Sequence, residues 1–162
     1  IVQALHGYAR GDETVERDVF LARSVDETLG LLQHRLRNVQ VEKEVDPDAR
    51  IRGYPGQIDQ VLMNLLTNAA QAIGSQGGII QVRAKKVEAR VHLVVSDNGP
   101  GIPPDDLARI FDPFFTTKDV GEGSGLGLSI VHGIIERHGG QIEVDSKPGQ
   151  GTTFTISFPK PA

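Results

Sequence analysis

Cysteine and tryptophan are absent from these 162 residues, methionine occurs once, and only 5% of positions are aromatic. Without cysteine there is no disulfide and no thiolate metal site, which fits a reducing compartment. No run of about 18 apolar residues occurs, so no membrane-spanning helix is expected. The first ten residues, IVQALHGYAR, lack the basic start and long apolar stretch of a signal peptide. Positive charge is in short supply: 17 basic residues stand against 21 acidic ones, a net charge of −4. A protein that neutralises nucleic-acid phosphates needs the opposite balance, so nucleic acid is not an expected partner. No lysine follows a glycine, which excludes a P-loop, and no HRD catalytic loop is present.

What is present is glycine, 19 residues of it, in a hydrophobic fraction (38%) that suits one globular domain with a real core. The chain begins with Ile1 rather than methionine and reads as a piece of something longer. Residues 1–9 suit the end of a helix, and 9–18 (ARGDETVERD) a polar linker. Ser24 with Glu27 fits a capping box ahead of a helix through 25–38, with Val25, Leu29, Leu32 and Leu36 as its apolar stripe. Residues 39–45 alternate like a strand. Pro55 opens a strongly periodic helix over 57–73 that Gly74 can end. Strands are expected over 79–88 and 90–96, a short helix from Pro103-Pro104 to about Ile110, and a long aperiodic loop over 111–124. A helix from Leu126 to His138 and strands at 141–146 and 152–158 complete the chain. This order predicts an α+β fold: a two-layer sandwich with a mixed, mostly antiparallel sheet of about five strands and three main helices on one face.

The chemistry concentrates in Asp97–Leu128, DNGPGIPPDDLARIFDPFFTTKDVGEGSGLGL. Glycine recurs at 121, 123, 125 and 127, just where a helix starts near Leu126. Without Cβ atoms, backbone N–H groups can approach a phosphate, and a helix N-terminus favours an anion. A merely flexible loop is the alternative. The dinucleotide fingerprint needs glycines at i, i+2 and i+5, and here i+5 falls on Leu126, Leu128 or Ile130. Asp97 follows an apolar strand and precedes NGPG. Its carboxylate can accept a hydrogen bond from an exocyclic amine such as adenine N6, with Gly99 and Gly101 letting the base lie close; alternatively it is a turn aspartate. Asn64 and Asn68, four apart on an otherwise apolar helix, share a face. Their carbonyl oxygens could complete a Mg²⁺ shell beside phosphate oxygens, or serve as core or capping amides.

Five segments together resemble the catalytic ATP-binding domain of sensor histidine kinases, within the wider gyrase, chaperone and mismatch-repair ATPase superfamily. QVLMNLLTNAAQA (60–72) resembles the N box, DNGPGI (97–102) the first glycine box, FDPFFTTK (111–118) the F box, GEGSGLGLSIV (121–131) the second glycine box, and GQGTTF (149–154) the last glycine motif. They occur in family order and span residues from about 20 to the end.

The resemblance implies a Bergerat-type fold and ATP with Mg²⁺ as the ligands. It implies Asn68 as the metal ligand with Asn64 beside it, Asp97 on adenine N6, Gly101 against the ring, and Thr152 supporting the base through water. It makes 111–124 a mobile lid, Lys118 a group reaching the terminal phosphate, and Gly125, Leu126 and Gly127 backbone donors to the phosphates. Gln71, Gly99, Ile102, Phe115, Thr116, Gly123 and Leu128 complete the implied nucleotide site. Asn64 and Lys118 are the implied catalytic residues. The superfamily's hydrolytic members place a glutamate four residues before the metal asparagine; here that position is Asn64, an amide that cannot act as a base.

The implied reaction is transfer of the γ-phosphate of ATP to a histidine in two-component signalling. In the family that histidine lies on an upstream helical hairpin in an H-E-x-x-N-P-like context, which none of His6, His34, His92, His132 and His138 has. Residues 1–12 are therefore expected to be the tail of the dimerisation and phosphoacceptor hairpin with its linker, and 13–162 the catalytic domain. The implied partners are that hairpin and a downstream response regulator. The fragment is expected to be a cytoplasmic monomer and the full-length protein a homodimer, with any membrane attachment upstream. Two alternatives stand beside this: a nucleotide-binding regulatory module without transfer, and a hydrolytic ATPase of the same superfamily.

Overall fold

A computed structural model describes residues 15–116 and 125–161. Among these residues, seven strands and four α-helices follow in the order β1 (Arg17–Phe20), α1 (Leu21–Leu31), β2 (Val39–Val45), β3 (Arg50–Gly53), α2 (Pro55–Ile73), β4 (Gly78–Val87), β5 (Arg90–Asp97), α3 (Pro104–Leu107), α4 (Gly127–Arg137), β6 (Gln141–Lys147) and β7 (Gly151–Pro159). No helix among the described residues is long and apolar enough to cross a membrane.

The main sheet has the order β2-β4-β5-β7-β6. Only β2 and β4 run parallel; the other three pairings are antiparallel. The expected mixed five-stranded sheet is thus present, with α1, α2 and α4 packed against it. Strand alternation decides which face they cover. Val82, Val95, Phe154 and Val144 form one cross-strand row, and Ala84, Leu93, Ile156 and Ile142 the next. These rows meet Ile58, Val61, Leu62, Leu65, Leu66 and Ala69 of α2 in a single core with Val131, Ile134 and Ile135 of α4. Helix α2 begins at Pro55, which gives up no intrahelical bond there, and its last turn closes through Gly74, whose amide donates to the Ala70 carbonyl.

The start of α1 differs from the sequence expectation. The helix begins at Leu21, so Ser24 is no cap: it lies within the helix, 5% exposed, and its carbonyl accepts from Thr28 Oγ1 at 2.7 Å. The cause is tertiary. The Leu21 amide donates to the carbonyl of Ala49 at 3.0 Å, so a neighbouring loop satisfies a first-turn donor that a local side chain would otherwise take. The helix also ends at Leu31, and residues 32–38 continue as successive turns.

Two strands escape a local reading. β1 starts inside the expected polar linker, at Arg17 and Asp18, and β3 lies in a segment with no periodic signal. They pair antiparallel, with Val19 opposite Ile51 and Asp18 opposite Arg52. Each contributes one buried apolar side chain, Val19 at 4% and Ile51 at 1% exposed, and leaves charged residues outside.

Candidate nucleotide site

The apolar rows of the sheet end in a polar one. Beyond Val95 and Phe154 the next register row is Ile80, Asp97, Thr152 and Ser146, on the same face as the core. Asp97 is the last residue of β5, and its Oδ1 accepts from the Gly99 amide at 2.9 Å. Burial pushes its carboxyl above the ordinary aspartate value, against the opposing pull of the Gly99 and Thr152 amides. A half-buried carboxylate placed so is an acceptor held ready for a donor.

The turn that follows depends on its glycines, for reasons that differ from the sequence reading. A Cβ at Gly99 would press on Asp97 Oδ1 and on Ala72 of α2. Gly101 adopts φ 78°, and a Cβ there would strike the carbonyl of Lys147. The two glycines let the turn reach its own carboxylate and the β6–β7 connection, where Gly149 also donates to Pro100 O at 2.8 Å. Ile102 is tied down in the same place: its amide donates to Ser146 Oγ at 2.7 Å.

The opposite end of the site is the start of α4. Asn64 of α2 donates from Nδ2 to the carbonyl of Gly127, the first residue of α4, at 3.1 Å, and its Oδ1 accepts from Gln60 at 3.0 Å. Both ends of the Asn64 amide are therefore used within the protein, as a tether between helices. Asn68 lies one turn further along α2, partly buried on the same face, and Gln71 is exposed near the helix end. Helix α4 carries no acidic residue in its first turn, and Leu126 precedes it as N-cap, its carbonyl accepting from Ser129 Oγ at 2.9 Å. A helix end of this kind presents amide donors and the positive pole of the helix.

The segment between the two ends is anchored at its root. Phe111 packs on Phe154 and His132 at centroid distances of 6.5 and 5.5 Å. Arg109 stacks over the Phe115 ring at 4.6 Å. Phe114 donates its amide to Gly125 O at 2.8 Å. This contact explains Gly125: with φ 71°, a Cβ would collide with the Phe114 backbone. Phe114 itself takes φ 68° and is 74% exposed. Thr116 is exposed and Leu128 is partly buried in the first turn of α4. Lys118, Gly121 and Gly123, and the phosphate contact expected of Lys118, lie outside the described residues.

Helix α2 connects the two ends. Ala72 stands against Gly99 beside Asp97, and Asn64 holds the start of α4. They stand eight positions apart along the helix, about 12 Å at 1.5 Å per residue, with Asn68 midway. This is roughly the reach of a nucleoside triphosphate, with an acceptor for an amine at one end and amide donors at the other.

Sequence reasoning missed one residue here. Ser146 is a buried hydroxyl that joins Ile102 to Thr152; nothing in its local pattern distinguishes it from an ordinary strand serine. His138, expected to end a helix, does cap α4 and also accepts at Nε2 from the Tyr54 amide at 3.1 Å while Nδ1 meets the Ile134 carbonyl at 2.8 Å. An amide only donates and a carbonyl only accepts, so this imidazole is the neutral tautomer with its proton on Nδ1. Gly53 lacks the Cβ that would occupy the space of that ring.

Residues 53–162 match the family described as histidine kinase-, DNA gyrase B- and HSP90-like ATPase. The chain is 51% identical over 109 residues to sensor histidine kinase ZraS of Escherichia coli (strain K12), which covers 67% of this chain and 23% of that protein. The chain thus spans about a quarter of the length of this curated relative. Among solved structures, the catalytic domain of histidine kinase ThkA superposes with a TM-score of 0.81 at 34% identity, over 91% of this chain and 97% of that one. Histidine kinase ThkA in complex with response regulator protein TrrA superposes with a TM-score of 0.75 at 33% identity, over 90% of this chain and 42% of that one. With that match over two thirds of its length and a catalytic-domain structure of the same shape, the chain belongs to the histidine kinase-, DNA gyrase B- and HSP90-like ATPase family, as the ATP-binding domain of a sensor histidine kinase.

Proposed function

We propose that this domain binds Mg-ATP and passes the γ-phosphate to a histidine on a separate helical hairpin, with a response regulator as the next acceptor. The observation that carries this reading is the span of α2, which holds the Asp97 turn at one end and the start of α4 at the other. Asp97 accepts from the purine amine, and the carbonyl oxygen of Asn68 is the protein's ligand to the metal. The amides before and within the first turn of α4, around Leu126 and Gly127, receive the phosphates. Magnesium, when bound, neutralises charge that builds on the phosphate oxygens. Lys118 is assigned to the terminal phosphate.

Asn64 argues against the hydrolytic alternative. An amide takes no proton at neutral pH, and its Nδ2 is committed to Gly127. Water near the γ-phosphate therefore finds no base at this position. The complex of the related kinase ThkA with a response regulator supports such a partner for this chain. On this reading residues 13–162 form the catalytic domain, a cytoplasmic monomer when separate from the dimerising hairpin, with residues 1–12 ending that hairpin.

The test mixes the domain with a separately expressed hairpin and γ-labelled ATP. Label on the hairpin histidine, with little release of free phosphate by the domain alone, is expected. Nucleotide binding with no label on histidine would leave a binding module, and steady turnover by the domain alone would favour hydrolysis.

A further inference from the structure

The polar row at the end of the sheet has a fixed direction of hydrogen bonding. Asp97, Thr152 and Ser146 are successive cross-strand partners on β5, β7 and β6. Ser146 is 9% and Thr152 6% exposed. The Ser146 hydroxyl meets three groups: the Ile102 amide at 2.7 Å, the Gly151 carbonyl at 3.0 Å and Thr152 Oγ1 at 2.9 Å.

A hydroxyl has one proton and two lone pairs. The Ile102 amide can only donate, so it uses one lone pair. The Gly151 carbonyl can only accept, so it takes the proton. All three bonds then form together in one way, with Thr152 donating its proton to the second lone pair of Ser146. The Thr152 hydroxyl is left with lone pairs alone. Its neighbour along the row, the Asp97 carboxylate, is also an acceptor, and it is held by the Thr152 amide.

We propose that Ser146 is a positioning residue for base selectivity: by taking the Thr152 proton it makes the row beside Asp97 an acceptor-only edge, which selects a 6-amino purine over a 6-oxo purine. This rests on the nucleotide reading above. A 6-amine donates into such an edge, directly or through one water. A 6-carbonyl brings a lone pair against the Asp97 carboxylate and finds no hydroxyl proton to answer it, and a site built for one hydrogen-bond pattern rejects the reversed one strongly. Without the Ser146 hydroxyl, Thr152 can turn its proton toward the base and donate to a 6-carbonyl. A purely structural serine would lower affinity for both bases alike, so the ratio of affinities is the quantity that separates the two roles.

The experiment measures ADP and inosine diphosphate binding by calorimetry, with thermal melting to verify folding. Wild-type protein should prefer ADP. Ser146→Ala should narrow the ADP preference by about three- to tenfold, the worth of one hydrogen bond. Ser146→Thr, which keeps the hydroxyl, should restore the preference. Ser146→Cys keeps the volume with a weaker donor and acceptor and should narrow it partly; it reads the same ratio if Ser146→Ala does not fold. In a Thr152→Val background Ser146→Ala should leave the ratio unchanged, because the proton it releases is gone. An unchanged ratio in both Ser146→Ala and Ser146→Cys, or a further change in the Thr152→Val background, would overturn the proposal while the nucleotide site stands. If wild-type protein bound neither nucleotide, the nucleotide reading itself would fall.

Discussion

The side-chain amide of Asn64 donates to the main-chain carbonyl of Gly127 at 3.1 Å, so one α2 side chain sets where α4 begins. Asn64→Glu puts an acceptor against that carbonyl and removes the only donor in the contact. It should destabilise the domain by about 1–3 kcal/mol, the cost of leaving a part-buried acceptor without its donor. Urea unfolding at neutral pH reads this directly. A variant as stable as the wild type would show that the tether carries no energy.

Asn68→Ala should weaken Mg-ATP binding by tenfold or more and leave magnesium-free adenosine within about twofold, since a metal ligand is felt only through the metal. Calorimetry with the two ligands makes the comparison. Equal losses in both would remove Asn68 from the metal shell.

Asp97 titrates above the ordinary aspartate range because burial disfavours its charge. The folded state then binds this proton more tightly than the unfolded chain does. As pH falls through the raised value toward the ordinary one, this group stabilises the fold, and its buried charge costs stability above that window. Asp97→Asn lacks the effect, so its unfolding free energy should lose ground to the wild type as pH falls across the window. ADP affinity of the wild type should drop over the same range, because a protonated carboxyl no longer offers two acceptors to the amine. The variant should bind ADP weakly, with little pH dependence there. Parallel pH profiles for the two proteins would count against the role.

His138 joins α4 to the start of α2 through the Ile134 carbonyl and the Tyr54 amide. His138→Ala should cost about 1–3 kcal/mol by orphaning that amide and vacating the space against Tyr54 and Phe158. ADP affinity should change less than twofold, since the ring lies at the far end of α4 from the nucleotide. Nitrogen chemical shifts should report the tautomer protonated on Nδ1.

Gly125→Ala places a methyl group into the Phe114 backbone at a positive φ. The Phe114–Gly125 bond should open, and backbone amide exchange at Phe114 should rise at least tenfold. Unaltered exchange would mean that the loop root can absorb the methyl group elsewhere.

Much of this molecule is legible locally. The stripe of Ile58, Val61, Leu62, Leu65, Leu66, Ala69, Ala70 and Ile73 predicts α2 because these residues recur at helical spacing, and the alternation in 90–96 predicts β5 because every second residue is apolar. The Asp97–Gly101 turn and the glycines before α4 point to a purine and a phosphate from residue chemistry alone. The misses share a cause. β1 and β3 bury one apolar side chain each and exist because they pair with each other, from Phe20 opposite Arg50 to Arg17 opposite Gly53, 36 positions apart in the chain and otherwise unmarked. Ser24 has the pattern of a cap, but the Ala49 carbonyl reaches the helix start first.

By itself the sequence determined the periodic elements, the family motifs and the residue types able to hold a base, a metal and phosphates, because these follow from side-chain spacing and from which atoms donate or accept. Only the tertiary structure decided how they are used. It set Asn64 on Gly127, brought Lys147 against Gly101, and lined up Asp97, Thr152 and Ser146 across three strands. Those relations depend on cross-strand register and helix packing, which bring together residues far apart in the chain and which no local window of residues records.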